Sequence, residues 1–184
     1  MIILASASPR RRELLKTVVN DFKIITTDID EEKSYTLPPL EAVIDIAKRK
    51  GLEVRKEHPN DIIISADTIV VLDNQIIGKP KDEQDAERIL KLLSGKTHQV
   101  ITAYYIFNKE EIIHRYVISG VTFKKLSDDL IKRYVASGSP LDKAGAYGVQ
   151  DNDKYPIISR VTGSVDNVIG FPIKEIKEDL DKII

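Results

Sequence analysis

Short apolar segments alternate with amphipathic segments along the whole chain. Residues 1–5 are apolar and short, which is typical of a buried strand, and the next residues have helical spacing. Tight turns at 73–74 and 108–109 predict hairpins, so the sheet cannot be purely parallel. We therefore predict an α/β fold with a mixed sheet covered by helices. Strands are predicted at 1–5, 22–26, 61–65, 68–72, 75–77, 98–107, 111–118, 121–124 and 157–161, and helices at 9–19, 40–50, 82–93, 127–136 and 172–183.

Three segments leave alternatives open. Gly51 either caps the helix over 40–50, or the lysine-rich continuation prolongs that helix to about residue 57. Residues 28–39 are polar and acidic and end in proline, so we predict a loop. Residues 139–152 contain glycine and proline with little periodicity, which indicates either an ordered functional loop or a flexible one.

Hydroxyl and guanidinium groups gather where the first strand leads into the first helix. Ser8 is the predicted N-cap, with Pro9 at the first helical position. Free N–H groups and the positive helix end favour an anion, and arginine recognises phosphate through paired bonds. Phosphate binding by Ser6, Ser8, Arg10 and Arg11 is therefore one interpretation, and a capped surface helix with a solvated basic turn is the other.

Asp67 stands between two strongly apolar runs, 61–65 and 68–72. A carboxylate in such a place is costly unless it is paired, hydrogen-bonded or bound to metal. One interpretation is a metal ligand or a base that orients water. The other is an aspartate that accepts hydrogen bonds within a turn.

Further charged groups have a functional and a structural interpretation each. Lys79 lies between Gly78 and Pro80 and is either a placed ammonium group or a solvated lysine. Lys50 ends a basic helix terminus, whose cations either add to a phosphate site or are solvated groups that interact favourably with the helix dipole. Glu31 and its neighbour Asp30 are either solvated or donors of oxygen ligands to a metal.

The segment 142–150 combines small residues with an aromatic ring and an amide. Gln150 offers a donor and an acceptor, which suits the edge of a nucleobase. Tyr147 either stacks on a ligand or fills the core, and a tight structural turn explains the small residues. Taken together, the four clusters suit a nucleotide with a long phosphate tail.

The composition of the chain excludes several kinds of partner and binding site. The chain has 184 residues, a net charge of −1 and no cysteine. This balance argues against a nucleic-acid partner or a polybasic membrane anchor, and the lack of cysteine excludes disulfides and thiolate metal sites. Residues 1–5 lack the charged start of a signal peptide, and no apolar run approaches the roughly 20 residues of a membrane span. A reducing cytoplasm fits these features.

Segments 4–11, 66–68, 78–80 and 142–150, in this order, resemble the Maf family, and the similarity runs over essentially the whole chain. The resemblance implies one domain over residues 1–184 with an elongated α/β/α sandwich fold similar to inosine triphosphate pyrophosphatases. It also implies hydrolysis of nucleoside triphosphates to monophosphate and pyrophosphate, a divalent metal (Mg²⁺ or Mn²⁺), and a homodimer.

The resemblance also assigns roles to individual residues. Asp67 falls on the catalytic acid–base position, and Glu31 is the acidic-loop residue expected to bind metal together with Asp67. Phosphate-binding positions fall on Ser6, Arg10 and Arg11, and the two lysine positions of the site fall on Lys50 and Lys79.

The choice of base is tied to Arg10, Thr68 and Gln150. Thr68 directly follows Asp67, so we expect its side chain close to the reacting region. The Asp-Thr pair resembles family members that act on dTTP and UTP, whereas Asp-Gln resembles a group acting on methylated guanosine triphosphate. The alternatives are 7-methyl-GTP as the substrate of the same chemistry, or a nucleotide-binding regulator of cell division without turnover. Asp67 together with both lysines favours an enzyme.

Overall fold

The computed structural model describes residues 1–184. Its strands are β1 (Ile2–Leu4), β2 (Lys23–Ile24), β3 (Ile62–Leu72), β4 (Gln75–Ile77), β5 (Thr97–Phe107), β6 (Ile112–Phe123) and β7 (Ile158–Thr162), and its helices are α1 (Pro9–Lys16), α2 (Pro39–Glu57), α3 (Glu83–Leu93), α4 (Asp128–Ala136), α5 (Val165–Ile169) and α6 (Ile173–Leu180). The strands lie in the order β2-β1-β3-β5-β6-β7, with β4 paired to β3. β1 is parallel to β2 and β3, whereas β4 is antiparallel to β3 and β7 is antiparallel to β6, which confirms the predicted mixed sheet.

The chain forms two compact units. The first contains residues 1–68, 102–117 and 170–184, and the second contains residues 69–101 and 118–169. Alternate residues of a strand point to opposite faces of the sheet. In the first unit, Leu4, Ile64 and Ala66 therefore pack with the apolar residues of α1 and α6.

The other face of β3 in the first unit carries α2. The Ser65 hydroxyl donates to the carbonyl of Ala47 on α2 at 2.7 Å. Helices thus cover both faces of the sheet in this unit, as an α/β fold requires.

Gly51 lies in the interior of α2, so the helix takes the longer of the two predicted courses and ends at Glu57. A Cβ on Gly51 would lie 2.1 Å from Cε2 of Phe107 and 2.6 Å from the Ser65 hydroxyl oxygen. Glycine is required here because α2 lies against the sheet. The helix continues past Gly51 to its C-terminal cap at His58, whose N–H donates to the Val54 carbonyl.

β3 is one strand where the sequence pattern predicts two. Asp67 is therefore inside a strand, and the predicted alternative of an aspartate within a turn is wrong. β6 likewise joins the segments predicted at 111–118 and 121–124. In both cases neighbouring strands continue the ladder across polar or glycine positions, a tertiary effect that local pattern does not contain.

The core of the second unit is built from α3, α4 and the inward side chains of its strands. His98 belongs to this core, where its ring lies edge-on to Phe123 and to Tyr147. Tyr147 is only 5% exposed. It therefore fills the core, which is one of the two roles predicted for it. The segment 139–152 forms three 3-10 turns and is tied down, since Asp151 accepts from Tyr134 at 2.7 Å and from Ser139 at 2.6 Å.

None of the helices combines the length and the apolar composition needed to cross a lipid bilayer.

Replacing Gly51 by alanine is expected to destabilise the protein. Alanine gains about 0.8–1.0 kcal/mol of helix propensity over glycine. Its methyl group, however, overlaps the fully buried Phe107 ring, and overpacking of this kind costs about 1–3 kcal/mol. Denaturant unfolding should therefore give a lower free energy for Gly51→Ala than for Lys48→Ala, the matched change at an exposed position of α2. Equal stability of the two variants would contradict the close packing of α2.

Candidate active site

The candidate site lies where β1 stops pairing with β3. The parallel register ends at Leu4 and Ile64, and the Ala5 amide makes one further bond to the Ile64 carbonyl at 2.8 Å. Because β1 is so short, the Ala66 carbonyl lies beyond this pairing and is open to a side chain. That side chain comes from the start of α1, directly after the turn at Ser6–Ser8.

Arg11 fills this position. It is buried, and it donates from Nε to the Gly170 carbonyl at 2.9 Å and from Nη1 to the Ala66 carbonyl at 3.0 Å. Nη1 also donates to the Ser6 hydroxyl at 3.2 Å, and Nη2 donates to the Thr68 hydroxyl at 3.1 Å. Four of the five N–H groups of a guanidinium are thus used on protein acceptors.

Arg11 therefore differs from the open phosphate-binding arginine that the sequence suggests. Burial lowers the pKa of its guanidinium, and the charge of Asp67 opposes that change. The bonds join three segments far apart in the chain, so the geometry assigns Arg11 chiefly to holding the site together. The phosphate role predicted for it stays a prediction.

The turn before α1 is organised as predicted around Ser8. The Ser8 hydroxyl accepts from the Arg11 amide at 3.4 Å and caps α1. The Ser6 hydroxyl accepts from the Ser8 amide at 3.2 Å in addition to the Arg11 bond. Arg10, on the first turn of α1, is half-buried. The turn therefore presents hydroxyl groups and helix N–H groups, which are suited to bind an oxyanion.

Asp67, Lys50 and Glu31 form a three-membered charge cluster. Lys50, from α2, lies with its Nζ 3.1 Å from Oδ1 of Asp67 and 2.7 Å from Oε1 of Glu31. The side chains of Asp67 and Lys50 are 10% and 16% exposed, whereas that of Glu31 is 40% exposed. The structure thus brings together three residues that are up to 36 positions apart (67 − 31) in the sequence.

Burial raises the pKa of the Asp67 carboxyl, and the charges of Lys50 and Arg11 partly offset this effect. A carboxyl group with a raised pKa beside cationic groups is a candidate general base.

Tyr35, which the sequence pattern did not indicate, lies beside the same cluster. Burial and then the charges of Glu31 and Asp67 raise the pKa of its phenol to about 12. A phenol is protonated at neutral pH, so Tyr35 can donate a hydrogen bond to the Glu31 carboxylate. No sequence signal marks it, because only the fold of the acidic loop brings it to the carboxylates.

Thr68 lies on the opposite face of β3 from Asp67, although the two are adjacent in sequence. Its hydroxyl accepts from Arg11, lies 2.8 Å from the Thr102 hydroxyl and 3.2 Å from the Gly170 carbonyl. Adjacency in sequence therefore does not bring the two side chains together, because strand residues alternate in direction. That Thr68 lies close to the reacting region stays a prediction. Its assignment to base choice stays a prediction.

Lys79 and Gln150 belong to the second unit, and both are exposed. Within that unit their two segments meet, since the Gly145 amide donates to the Gly78 carbonyl at 3.2 Å. Gly145 has a φ of 72°, and a Cβ there would lie 3.0 Å from Cγ2 of Val70, so glycine is required for this contact. The roles predicted for Lys79 and Gln150 stay predictions.

The carboxylates of Asp67 and Glu31 suit a metal ion whose other ligands include phosphate oxygens of a substrate. No group of three or more His, Cys, Asp or Glu side chains that could hold a metal ion is present. Asp67 and Glu31 nevertheless converge on one cationic atom, the Nζ of Lys50. Mg²⁺ is commonly bound by one or two carboxylates together with substrate phosphates, so these two residues fit such an ion.

Replacing Arg11 by lysine is expected to destabilise the protein strongly. Lysine keeps the charge but cannot bond all four acceptors in their fixed directions, and a charged hydrogen bond contributes about 1.5–3 kcal/mol. The matched control is Arg12→Lys, an exposed position of α1 whose guanidinium contacts only Glu13 among acidic groups. Urea unfolding should show a loss of about 2–4 kcal/mol for Arg11→Lys alone. If both variants unfold at the same urea concentration, Arg11 does not hold the site together.

Comparison with known proteins agrees with the resemblance seen in the sequence. The profile of the Maf-like protein family matches residues 1–183. A dTTP/UTP pyrophosphatase of Thermococcus onnurineus is 44% identical over 174 residues, which cover 95% of this chain and 93% of that protein. Another, of Clostridium botulinum, is 43% identical over 187 residues, which cover 100% and 99%. A HAM1 protein structure from Coxiella burnetii has the same fold, with a TM-score of 0.55, 14% identity and 98% of each chain covered. The chain therefore belongs to the Maf family.

Proposed function

We propose that this protein hydrolyses nucleoside triphosphates, dTTP and UTP before others, to the nucleoside monophosphate and pyrophosphate. The observation that carries the proposal is the Asp67 carboxylate, buried in a strand, with a raised pKa and with Lys50 at 3.1 Å. A module that only binds nucleotide needs no such base. The dTTP/UTP pyrophosphatases similar to this chain over nearly its full length support the same activity.

Asp67 is the group that accepts a proton from the attacking water in this mechanism. Water attacks the α-phosphorus and pyrophosphate leaves. The protein contributes to this reaction mainly by positioning the reactants and by stabilising negative charge. The Ser6–Ser8 turn and the start of α1 bind phosphate oxygens, and Lys50 stabilises the negative charge that develops. Lys79 is proposed to add a second ammonium group.

A divalent cation, Mg²⁺ or Mn²⁺, is proposed as the cofactor, with Asp67 and Glu31 as its protein ligands. It would supply charge neutralisation on the phosphates. The proposal is supported by the convergence of these two carboxylates on one cationic group, the ammonium of Lys50.

The preference for dTTP and UTP rests on Gln150 and on the relatives. One side-chain amide can pair with the N3 donor and a carbonyl acceptor of uracil or thymine. A site built on such bonds rejects a base that leaves them unpaired. The methyl group of thymine changes binding by only about 1–3 kcal/mol, so dTTP and UTP should differ modestly.

Pyrophosphate release from the common nucleoside triphosphates and from 7-methyl-GTP tests the activity and the preference together. We expect the highest kcat/KM for dTTP and UTP, weaker turnover of CTP and poor turnover of purine nucleotides. Asp67→Asn should lower kcat about 10²–10⁴-fold because the base is lost, and the variant should keep its fold. Binding of nucleotide without any pyrophosphate release would instead support a regulator, and a clear preference for 7-methyl-GTP would overturn the assigned substrate.

The pH dependence of turnover should report Asp67 and its neighbour. The base must be ionised, so kcat/KM falls as the pH drops through the Asp67 pKa, which burial raises and the Lys50 charge lowers. Removing that charge in Lys50→Gln should therefore move the acid limb to higher pH. Lys48→Gln, an equal change of charge at an exposed position of α2, should leave the limb in place. An unmoved limb in Lys50→Gln would show that Asp67 is not the titrating base.

A homodimer and a cytoplasmic location complete the proposal. The first rests on the family resemblance, and the second rests on the fit of a cysteine-free sequence to a reducing cytoplasm. Light scattering on the purified protein measures the first.

A further inference from the structure

Arg49, next to Lys50 on α2, holds the acidic loop that carries Glu31. Its Nη1 donates to the backbone carbonyl of Asp30 at 2.9 Å, and its Nε donates to the Asp45 carboxylate at 3.0 Å. Its Nη2 donates to the Ser34 hydroxyl. One guanidinium therefore contacts the loop at two points and its own helix at a third.

Ser34 and Asp45 complete this arrangement, which we call the loop seat (Ser34, Asp45 and Arg49). Ser34 is 1% exposed, and its hydroxyl donates to Oδ2 of Asp45 at 2.6 Å. That bond, followed by the bond from Arg49, lowers the pKa of Asp45, so the carboxylate stays ionised and keeps accepting both donors. Each member of the seat is thus hydrogen-bonded to the other two.

The loop seat and the charge cluster hold neighbouring residues of the same loop. Two consecutive helix residues, Arg49 and Lys50, hold two consecutive loop residues, Asp30 through its backbone and Glu31 through its carboxylate. The loop before the 3-10 turn at Glu32–Thr36 has no strand or helix of its own to fix its backbone. The seat therefore supplies bonds that tie this loop to α2, in addition to the contact of Lys50 with Glu31.

We propose that Arg49, with Ser34 and Asp45, is a positioning residue that places Glu31 over Asp67 for turnover. Arg49 touches neither Asp67 nor the phosphate-binding turn, and it acts through Glu31. Arginine suits the position because its planar fork meets three acceptors in fixed directions, which a lysine ammonium cannot do. This inference rests on the proposed pyrophosphatase activity and on Glu31 taking part in it.

A double-mutant cycle with Glu31 tests the proposal. Arg49→Gln should lower kcat for dTTP hydrolysis about 10–100-fold, the usual effect of losing a group that orients a metal ligand, and should raise the Mg²⁺ concentration needed for half-maximal rate. In a Glu31→Gln background the same change should alter kcat less than about twofold, because the residue that it positions is already lost. Equal fold-losses in both backgrounds would overturn the proposal.

Two control variants distinguish loss of Glu31 positioning from a general loss of charge or stability. Lys48→Gln removes one charge from an exposed neighbouring position and should leave kcat, the Mg²⁺ requirement and thermal stability unchanged. Arg49→Lys, which keeps the charge without the planar fork, should behave like Arg49→Gln, and rescue by lysine would show that only charge matters.

Amide hydrogen exchange gives a measure that does not need activity. The Ser34 and Leu37 amides bond to the Glu31 and Ser34 carbonyls, both at 3.0 Å. Their exchange should accelerate in Arg49→Gln and stay slow in Lys48→Gln. If wild-type protein releases no pyrophosphate, the proposed function fails and the placement of Glu31 for turnover fails with it. If wild type is active but both amides exchange at the wild-type rate in Arg49→Gln, the seat alone is refuted.

Discussion

The buried Asp67 carboxylate is the constraint on which the first unit depends. A charge inside a strand loses its hydration, and the loss is tolerable only beside opposite charge and hydrogen-bond donors. Lys50 supplies the contact at 3.1 Å, and Arg11 adds a second positive charge from the other side of the strand. The short β1 leaves the strand edge free for Arg11, so the ladder is interrupted where the site needs a side chain.

The alternation of β3 divides the site into two halves with different roles. Asp67 faces α2 and the acidic loop, where charge is concentrated. Thr68 faces α1, where its hydroxyl belongs to the bonds of Arg11 and Gly170. We therefore expect any influence of residue 68 on nucleotide choice to pass through Arg11 and the Ser6 turn that it supports, rather than through contact with Asp67.

Helix α2 has three structural tasks within one and a half turns. Ala47 and Gly51 allow it to approach the sheet closely. Lys50 projects onto Asp67, and Arg49 projects onto the acidic loop. Because 3.6 residues make a turn, neighbouring positions point in different directions, and one rigid helix can bind a strand and a loop at the same time. Loss of its close packing should disturb both.

Local spacing and elementary solvation were enough to predict the alternation of strands and helices, the mixed sheet, the Ser8 cap and the cost of leaving Asp67 unpaired. Arg10, Arg11 and Arg12 look alike in sequence, and contacts between distant segments single out Arg11 for burial. Its acceptors at Ala66 and Gly170 lie 55 and 159 residues away. The tertiary structure also merged two predicted strands into β3, carried α2 past Gly51 and assembled the loop seat, because pairing and close packing between distant segments are not encoded in local periodicity.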